Sequence, residues 1–188
     1  QAVKKDKDKV DMNLYCGFPY IVKNNLYNYP KLGSLNLHGG KLPQYRGGSA
    51  LNWQIIKGEK KIGLSVIKMT KRVDAGPIVT ETTFDIKKNY DIAKVKEISN
   101  KIFPKLLYEA ILKIKLKKKL KKQNSKFVRY FKQRKAEDGL IKWNEMTALQ
   151  INNFVRALTK PYPGAYLTYG EKKISIFKCK IVKKKLNL

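Results

Sequence analysis

The chain has 188 residues and 43% of them are hydrophobic, which is enough for one core and a small second module and argues against disorder. One histidine and two cysteines, Cys16 and Cys179, are too few ligands for a zinc or iron–sulfur site, so no metal is expected. The formal charge of +28 would attract polyanions such as nucleic acid.

No apolar run is long enough to span a membrane, and no signal-peptide pattern is present, so we expect a cytoplasmic protein that makes no membrane contact. In a reducing cytosol the two cysteines are expected to be separate buried thiols. The first residues are typical of the end of a charged helix, and we expect upstream sequence to be missing.

The first part of the chain alternates apolar segments with loops. Residues 12–15 predict a buried parallel strand, residues 16–22 its loop, and a short helix is expected to end at Leu26. Residues 34–37 predict the next strand, and the glycines and Pro43 that follow predict a long irregular loop.

Further elements follow the loop. Ser49 is a plausible N-cap for a helix that runs through Ile56, and residues 62–67 and 78–86 predict two strands. Asp91 is expected to cap a long amphipathic helix. Pro104 is expected to kink or interrupt that helix, because proline removes one backbone hydrogen bond and clashes with the preceding turn.

A smaller unit is predicted to begin at residue 124. Residues 148–159 have helical spacing, and residues 166–169 and 174–177 alternate around Gly170 as in a β-hairpin. We therefore predict an α/β domain with a mostly parallel sheet over residues 1–123, and a small α+β module over residues 124–188.

The only histidine, His38, stands two residues after Asn36 at the predicted end of a strand. Residues two apart in a strand point to the same face. Imidazole exchanges protons near neutral pH, an asparagine amide can donate to an oxyanion, and the nearby acid Asp74 could orient the imidazole. The trio suits transfer of a one-carbon acyl group to an amine, and it suits direct transfer because no serine or cysteine adjoins His38.

Each member of the trio also has an ordinary structural explanation. A single loop histidine is more often a structural hydrogen-bonding residue, and an aspartate before Ala-Gly-Pro more often accepts N–H groups within its own turn. The order of these residues along the chain favours the functional explanation.

Three segments together resemble the signature of the formyltransferases that use 10-formyltetrahydrofolate. They are Asn36-Leu37-His38, Leu42-Pro43-Gln44-Tyr45-Arg46-Gly47 and Asp74-Ala75-Gly76-Pro77-Ile78. The resemblance covers about residues 11–116 and resumes over residues 132–176. It implies a Rossmann-like formyltransferase fold that lacks its N-terminal strands, with 10-formyltetrahydrofolate as co-substrate.

The same resemblance assigns roles to residues. Asn36 would polarise the formyl carbonyl, His38 would be the general base or oxyanion partner, and Asp74 would hold His38. Two loops would grip the folate pterin with backbone groups. They contain the expected cofactor-binding residues Phe18, Tyr20, Ile21, Arg72 and Val73.

The acceptor is less well defined. The segment Leu51-Asn52-Trp53 resembles the members that formylate amino sugars carried on a nucleotide, so we expect that substrate and leave a homodimer open. Methionyl-tRNA formyltransferase, with tRNA as partner, is the alternative. The rival is a non-catalytic basic nucleic-acid-binding module, which we disfavour because the charge is mostly dispersed lysine rather than arginine.

Overall fold

A four-stranded sheet with the three longer helices packed on one face forms the centre of the protein in the computed structural model, which describes residues 10–182. The predicted end of a charged helix at the start of the chain lies outside the described residues. Along the chain the elements are β1 (Asn13–Cys16), α1 (Asn24–Tyr27), β2 (Ser34–His38), β3 (Arg46–Gly47), α2 (Ala50–Ile56), β4 (Lys61–Lys68), β5 (Ile78–Asp85), α3 (Ile92–Lys115), β6 (Tyr130–Phe131), α4 (Ala148–Leu158), β7 (Ala165–Tyr169) and β8 (Lys172–Ile176).

The α/β fold class is confirmed, but strand direction differs from the expectation of a mostly parallel sheet. The sheet has the order β1-β2-β4-β5, in which β1 and β2 are parallel and both other pairs are antiparallel. The connection between β4 and β5 contains only residues 69–77. A parallel neighbour needs a crossover of a dozen residues or more, so this short connection requires an antiparallel pair.

Strand β1 is parallel to β2 as predicted, but it is not a buried strand. It lies at the edge of the described sheet, and its residues alternate between half-buried and exposed, with Leu14 42% exposed. The expectation of buried thiols is also wrong. Cys16 ends this edge strand, Cys179 follows β8, and both are free and exposed because neither position lies beneath another layer.

The main core lies between the sheet and the helices. Leu35 and Leu37 of β2 point to this side, where Val95 and Leu106 of α3 pack with Leu64 of β4. A much smaller apolar cluster of Leu42, Ile67 and Ile78 lies apart from this core. Because side chains alternate along a strand, the residues between the leucines of β2 point to the opposite face.

Helix α3 begins with the predicted N-cap and is not interrupted at Pro104. The Asp91 carboxylate accepts from the Lys94 backbone N–H at 3.0 Å, as expected of an N-cap. The helix continues through Pro104 to Lys115. Pro104 and Asn100, four residues earlier, are both exposed, so water can solvate the carbonyl that loses its partner. No helix of the described residues is long and apolar enough to cross a membrane.

Ser49 does not cap α2 as predicted. It has a left-handed backbone with φ 51° and makes no side-chain capping bond. Its hydroxyl oxygen instead accepts from the Arg134 backbone N–H at 3.0 Å. A hydrogen bond with a residue distant in sequence has therefore replaced the expected bond to the first turn of α2.

The C-terminal part contains the predicted helix and hairpin. Helix α4 begins with a capping box of Thr147 and Gln150, and β7 and β8 form an antiparallel pair. Phe154 and Val155 of α4 enter the same apolar core as the sheet. The predicted division at residue 124 stays a prediction.

Replacement of Asp91 by alanine tests the N-cap of α3. We expect Asp91→Ala to lower the free energy of unfolding by about 1 kcal/mol, because the Lys94 N–H loses its acceptor. Urea denaturation measures the change. Asp85→Ala is the control, since the ion pair of Asp85 with exposed Lys61, at 3.8 Å, should contribute less than about 0.5 kcal/mol. Equal losses in both variants would contradict the prediction.

Candidate functional site

Asn36, His38 and Asp74 come together on the sheet face that points away from α3. The Asp74 Oδ2 atom lies 3.5 Å from His38 Nδ1, and the Asn36 side-chain amide donates to Asp74 Oδ1 at 3.4 Å. The side chains of His38 and Asp74 are 7% and 8% exposed. The predicted clustering of the three residues is therefore present in the structure, while their catalytic roles stay a prediction.

Asp74 reaches this cluster because its loop folds back over the sheet. The loop leaves β4 beside the start of β2, where Met69 N–H donates to the Ser34 carbonyl at 2.8 Å. Gly76 lies so close to the Lys68 carbonyl that a Cβ atom there would collide with it. Asp74 itself adopts φ 50°, a backbone conformation that aspartate tolerates better than most residues.

His38 has an acceptor at each ring nitrogen. Its Nε2 lies 2.5 Å from the Tyr45 carbonyl oxygen, which can only accept, and its Nδ1 faces the Asp74 carboxylate. A neutral imidazole has one N–H and can satisfy one of these acceptors, whereas an imidazolium can donate to both. The Tyr45 carbonyl can therefore be satisfied only by an N–H on Nε2 of His38.

Gly40 makes this position of the imidazole available. A Cβ atom on Gly40 would collide with His38 Nε2 and would lie 2.6 Å from the Tyr45 carbonyl oxygen. Any larger residue would push apart the two groups that form the short contact.

The Leu42-to-Gly47 loop supplies the backbone of the site. Leu42 anchors the loop in the small apolar cluster, and Tyr45 presents its carbonyl to His38. The Gly47 N–H donates to Asp74 Oδ2 at 2.8 Å. The Arg46 guanidinium is buried and turns toward Gln123.

Sequence reasoning missed several groups that surround the trio. Tyr45 and Gly47 lay inside the recognised motif, but their backbone contacts left no side-chain signal. Gln123 and Tyr130 lie far along the chain and contact Arg46, with the Gln123 Oε1 accepting from Arg46 Nε at 3.0 Å. Nothing in the lysine-rich segment before Gln123 marked it as a site residue.

The predicted cofactor-binding residues form two groups. Arg72 and Val73 are exposed and directly precede Asp74. Phe18, Tyr20 and Ile21 are 53%, 76% and 82% exposed, and they belong to the loop that leaves β1 beside the end of β2. The ring of Phe18 packs edge-on against the rings of Tyr15 and Tyr20. Within the described residues no hydrogen bond or ring contact joins these three residues to the trio.

A cavity of about 630 Å³ lies beyond the Leu42–Gln44 turn, but none of the trio lines it. We therefore do not place the reacting atoms there. In the part of the chain that the structure describes, no three His, Cys, Asp or Glu side chains are grouped so that they could hold a metal ion.

The segment Leu51-Asn52-Trp53 connects α2 to the C-terminal part. The buried Asn52 amide donates to the Ala157 carbonyl at 2.8 Å, and Trp53 Nε1 donates to the Lys132 carbonyl at 2.9 Å. The Arg134 guanidinium lies over the Trp53 ring at 4.9 Å. The segment therefore helps to hold the C-terminal part of the protein against α2.

Tyr45 is held by a second interaction, which gives a pH-dependent prediction. Its hydroxyl donates to Glu59 Oε1 at 2.6 Å, and burial, followed by Glu59, raises the pKa of Tyr45 well above its usual value. Tyr45→Phe should lower the free energy of unfolding by about 1 kcal/mol at pH 8, where the hydrogen bond is lost.

The difference in free energy of unfolding between the wild type and Tyr45→Phe should shrink by about 1 kcal/mol between pH 9 and pH 11. Above pH 10 the unfolded wild-type tyrosine ionises while the folded one stays protonated, so only the wild type loses stability. Urea denaturation at several pH values measures the difference. A difference that stays constant up to pH 11 would contradict the assignment.

Comparisons with known proteins identify the family. Residues 2–111 match the Formyl transferase family, and residues 134–187 match the Formyl transferase C-terminal domain. Over 183 residues the chain is 41% identical to the bifunctional polymyxin resistance protein ArnA of Wigglesworthia glossinidia brevipalpis. The matched region covers 92% of this chain and 27% of that protein.

A methionyl-tRNA formyltransferase of Mesoplasma florum is 32% identical over 174 residues, covering 92% of this chain and 55% of that protein. The chain thus spans about half or less of the length of these two relatives. A sugar N-formyltransferase structure from a Shewanella species has the same fold, with a TM-score of 0.78 at 19% identity, covering 96% of this chain and 74% of that one. This chain belongs to the formyl transferase family.

Proposed function

We propose that the protein transfers a formyl group from 10-formyltetrahydrofolate to the primary amine of an amino sugar carried on a nucleotide. The observation that carries this proposal is the cluster of Asn36, His38 and Asp74, which are three groups of the required chemistry on one sheet face. Membership of the formyl transferase family supports the reaction class.

The reaction requires one bond to form and one to break. The amine nitrogen attacks the formyl carbon, the carbonyl oxygen becomes an oxyanion, and the bond from carbon to N10 of the folate breaks. The proton lost by the amine ends on N10, so atoms and charges balance. The protein must stabilise the oxyanion and guide this proton.

The trio has suitable groups for both tasks. The Asn36 amide uses one N–H toward Asp74 and has a second N–H that can donate to the oxyanion. The ring N–H groups of His38 face Asp74 and the Tyr45 carbonyl, so a protonated His38 would stabilise the developing oxyanion through its positive charge and not through a direct hydrogen bond. Asp74 orients both side chains and compensates the charge of His38.

The folate would lie across the two exposed loops next to the trio. Arg72 and Val73 adjoin Asp74 in sequence, and the loop with Phe18, Tyr20 and Ile21 leaves the sheet at the strand end that carries His38. Exposed aromatic and apolar side chains suit a flat, partly apolar ring system such as a pterin.

An amino-sugar acceptor is favoured over methionyl-tRNA by the resemblance of Leu51-Asn52-Trp53 to the members that formylate amino sugars. Asn52 and Trp53 also contact the C-terminal part of the protein itself. Methionyl-tRNA remains the second candidate. It is supported by the 32% identity to a methionyl-tRNA formyltransferase and by the charge of +28.

The decisive experiment is a formylation assay on the full-length gene product with 10-formyltetrahydrofolate. Nucleotide-linked amino sugars and charged initiator methionyl-tRNA are compared as acceptors. Formylation of the sugar supports the proposal, and formylation of tRNA alone favours the second candidate. If calorimetry detects no binding of a folate analogue and RNA affinity falls steeply with salt, the protein is instead a basic nucleic-acid-binding module.

His38→Ala should abolish formyl transfer, because the oxyanion loses its imidazole partner, while the circular dichroism spectrum stays that of the wild type. Turnover of the sugar is measured at saturating acceptor. Turnover close to that of the wild type would show that the trio is misassigned.

Gly40→Ala should lower turnover by at least about tenfold, because its Cβ would collide with His38 Nε2. Gly39→Ala is the matched control, since the nearest atoms to its Cβ belong to the Leu51 side chain, at 2.8 Å or more. Equal losses in the two variants would show that the effect comes from packing and not from His38.

A further inference from the structure

We propose that Gln123 is a positioning residue that holds the Asp74 turn against His38. This inference rests on the proposed function, because the importance of the turn follows from the role of Asp74. Gln123 is distant in sequence from the trio and lies between the two segments that match the family. It nevertheless contacts the turn directly.

The side-chain amide of Gln123 uses all of its hydrogen-bonding capacity. Its Nε2 donates to the carbonyls of Asp74, at 2.8 Å, and Gly76, at 2.7 Å. Its Oε1 accepts from Arg46 Nε at 3.0 Å and from Arg46 Nη2 at 2.8 Å. An amide has two N–H donors and two lone pairs on oxygen, so every position is occupied.

The Asp74 turn needs support from outside. Asp74 adopts a left-handed backbone with φ 50°, a conformation that is unfavourable for an L-residue. Its carboxylate must at the same time reach His38, Asn36 and the Gly47 N–H. Two hydrogen bonds from one rigid amide fix the carbonyls on either side of Ala75, and so fix the direction of the Asp74 side chain.

The segment that contains Gln123 is itself firmly attached to the site. Lys121 exchanges two backbone hydrogen bonds with Ile78, at 2.8 and 3.1 Å. Farther along, Tyr130 accepts from Arg46 Nη1 at 3.0 Å and donates to the Val73 carbonyl at 3.3 Å. Arg46, which is buried, therefore connects Gln123 and Tyr130, and the two residues support the turn from both sides.

Gln123→Met and Gln123→Glu test the inference. Methionine keeps the length but makes none of the four bonds, and glutamate can accept from Arg46 but cannot donate to the two carbonyls. Both should lower kcat for formyl transfer by about 10- to 100-fold with little change in the KM for the acceptor, since the bound substrate is retained while Asp74 is misplaced. Both should remain folded by circular dichroism.

Lys121→Met is the matched control in the same segment. The Lys121 side chain forms an ion pair with Glu81 at 2.5 Å in which both partners are exposed to solvent, so its removal should leave kcat unchanged. A kcat for Gln123→Met within twofold of the wild type would overturn the inference.

A double-mutant cycle with Asp74→Asn separates positioning from general stabilisation. If Gln123 acts only through Asp74, Gln123→Met should lower kcat little further once Asp74 is replaced. If the two effects multiply, Gln123 acts independently of Asp74, and the inference is overturned.

A measurement that needs no turnover keeps this inference distinct from the proposed function. His38 is the only histidine, so its imidazole gives one identifiable set of NMR signals. Gln123→Met should shift these signals and Lys121→Met should not, because only the first moves Asp74. Unchanged His38 signals in Gln123→Met would overturn the inference, even if the protein formylates its acceptor. Failure of the wild type to formylate any acceptor would refute the proposed function alone.

Discussion

The Asp74 side chain is almost completely removed from solvent, and a polar group buried in this way destabilises the fold unless its oxygens have partners. The partners come from three places: the Gly47 backbone N–H, the Asn36 amide and the His38 ring. Each of them must be held in place for the carboxylate to be satisfied. The Asp74 side chain therefore links three parts of the structure: the Leu42–Gly47 loop, strand β2 and the loop over residues 69–77.

The segment after α3 takes part in the same arrangement, although it lies between the two family matches. It adds the β6 strand to β3, places Gln123 and Tyr130 around Arg46, and carries the backbone bridge between Lys121 and Ile78. The C-terminal helix then joins the main core through Phe154 and Val155. The parts that the sequence suggests are separate thus depend on each other at the site.

Local patterns predicted the elements whose causes are local. Asp91 caps α3 as expected, and the helices and strands of the sheet lie close to their predicted positions. Predictions failed where a distant partner decided the outcome. The Ser49 hydroxyl accepts a hydrogen bond from the Arg134 backbone N–H instead of capping its own helix. Strand β1 was expected to be buried, yet it lies at an edge, because apolar composition cannot tell which strands have neighbours on both sides.

For the site, the sequence by itself determined the candidate reacting groups and their common direction. The spacing of two between Asn36 and His38 puts both on one face of any strand, and the motif order added Asp74. Only the tertiary structure decided what these groups meet: the Tyr45 carbonyl at His38, the Gly47 N–H at Asp74, and the Gln123 amide behind the turn. Backbone groups are the same in every sequence, so their contacts cannot be predicted from residue types. Gln123 and Asp74 lie 49 positions apart, and a contact over that distance produces no periodic pattern in the sequence. These partners are therefore decided by the fold.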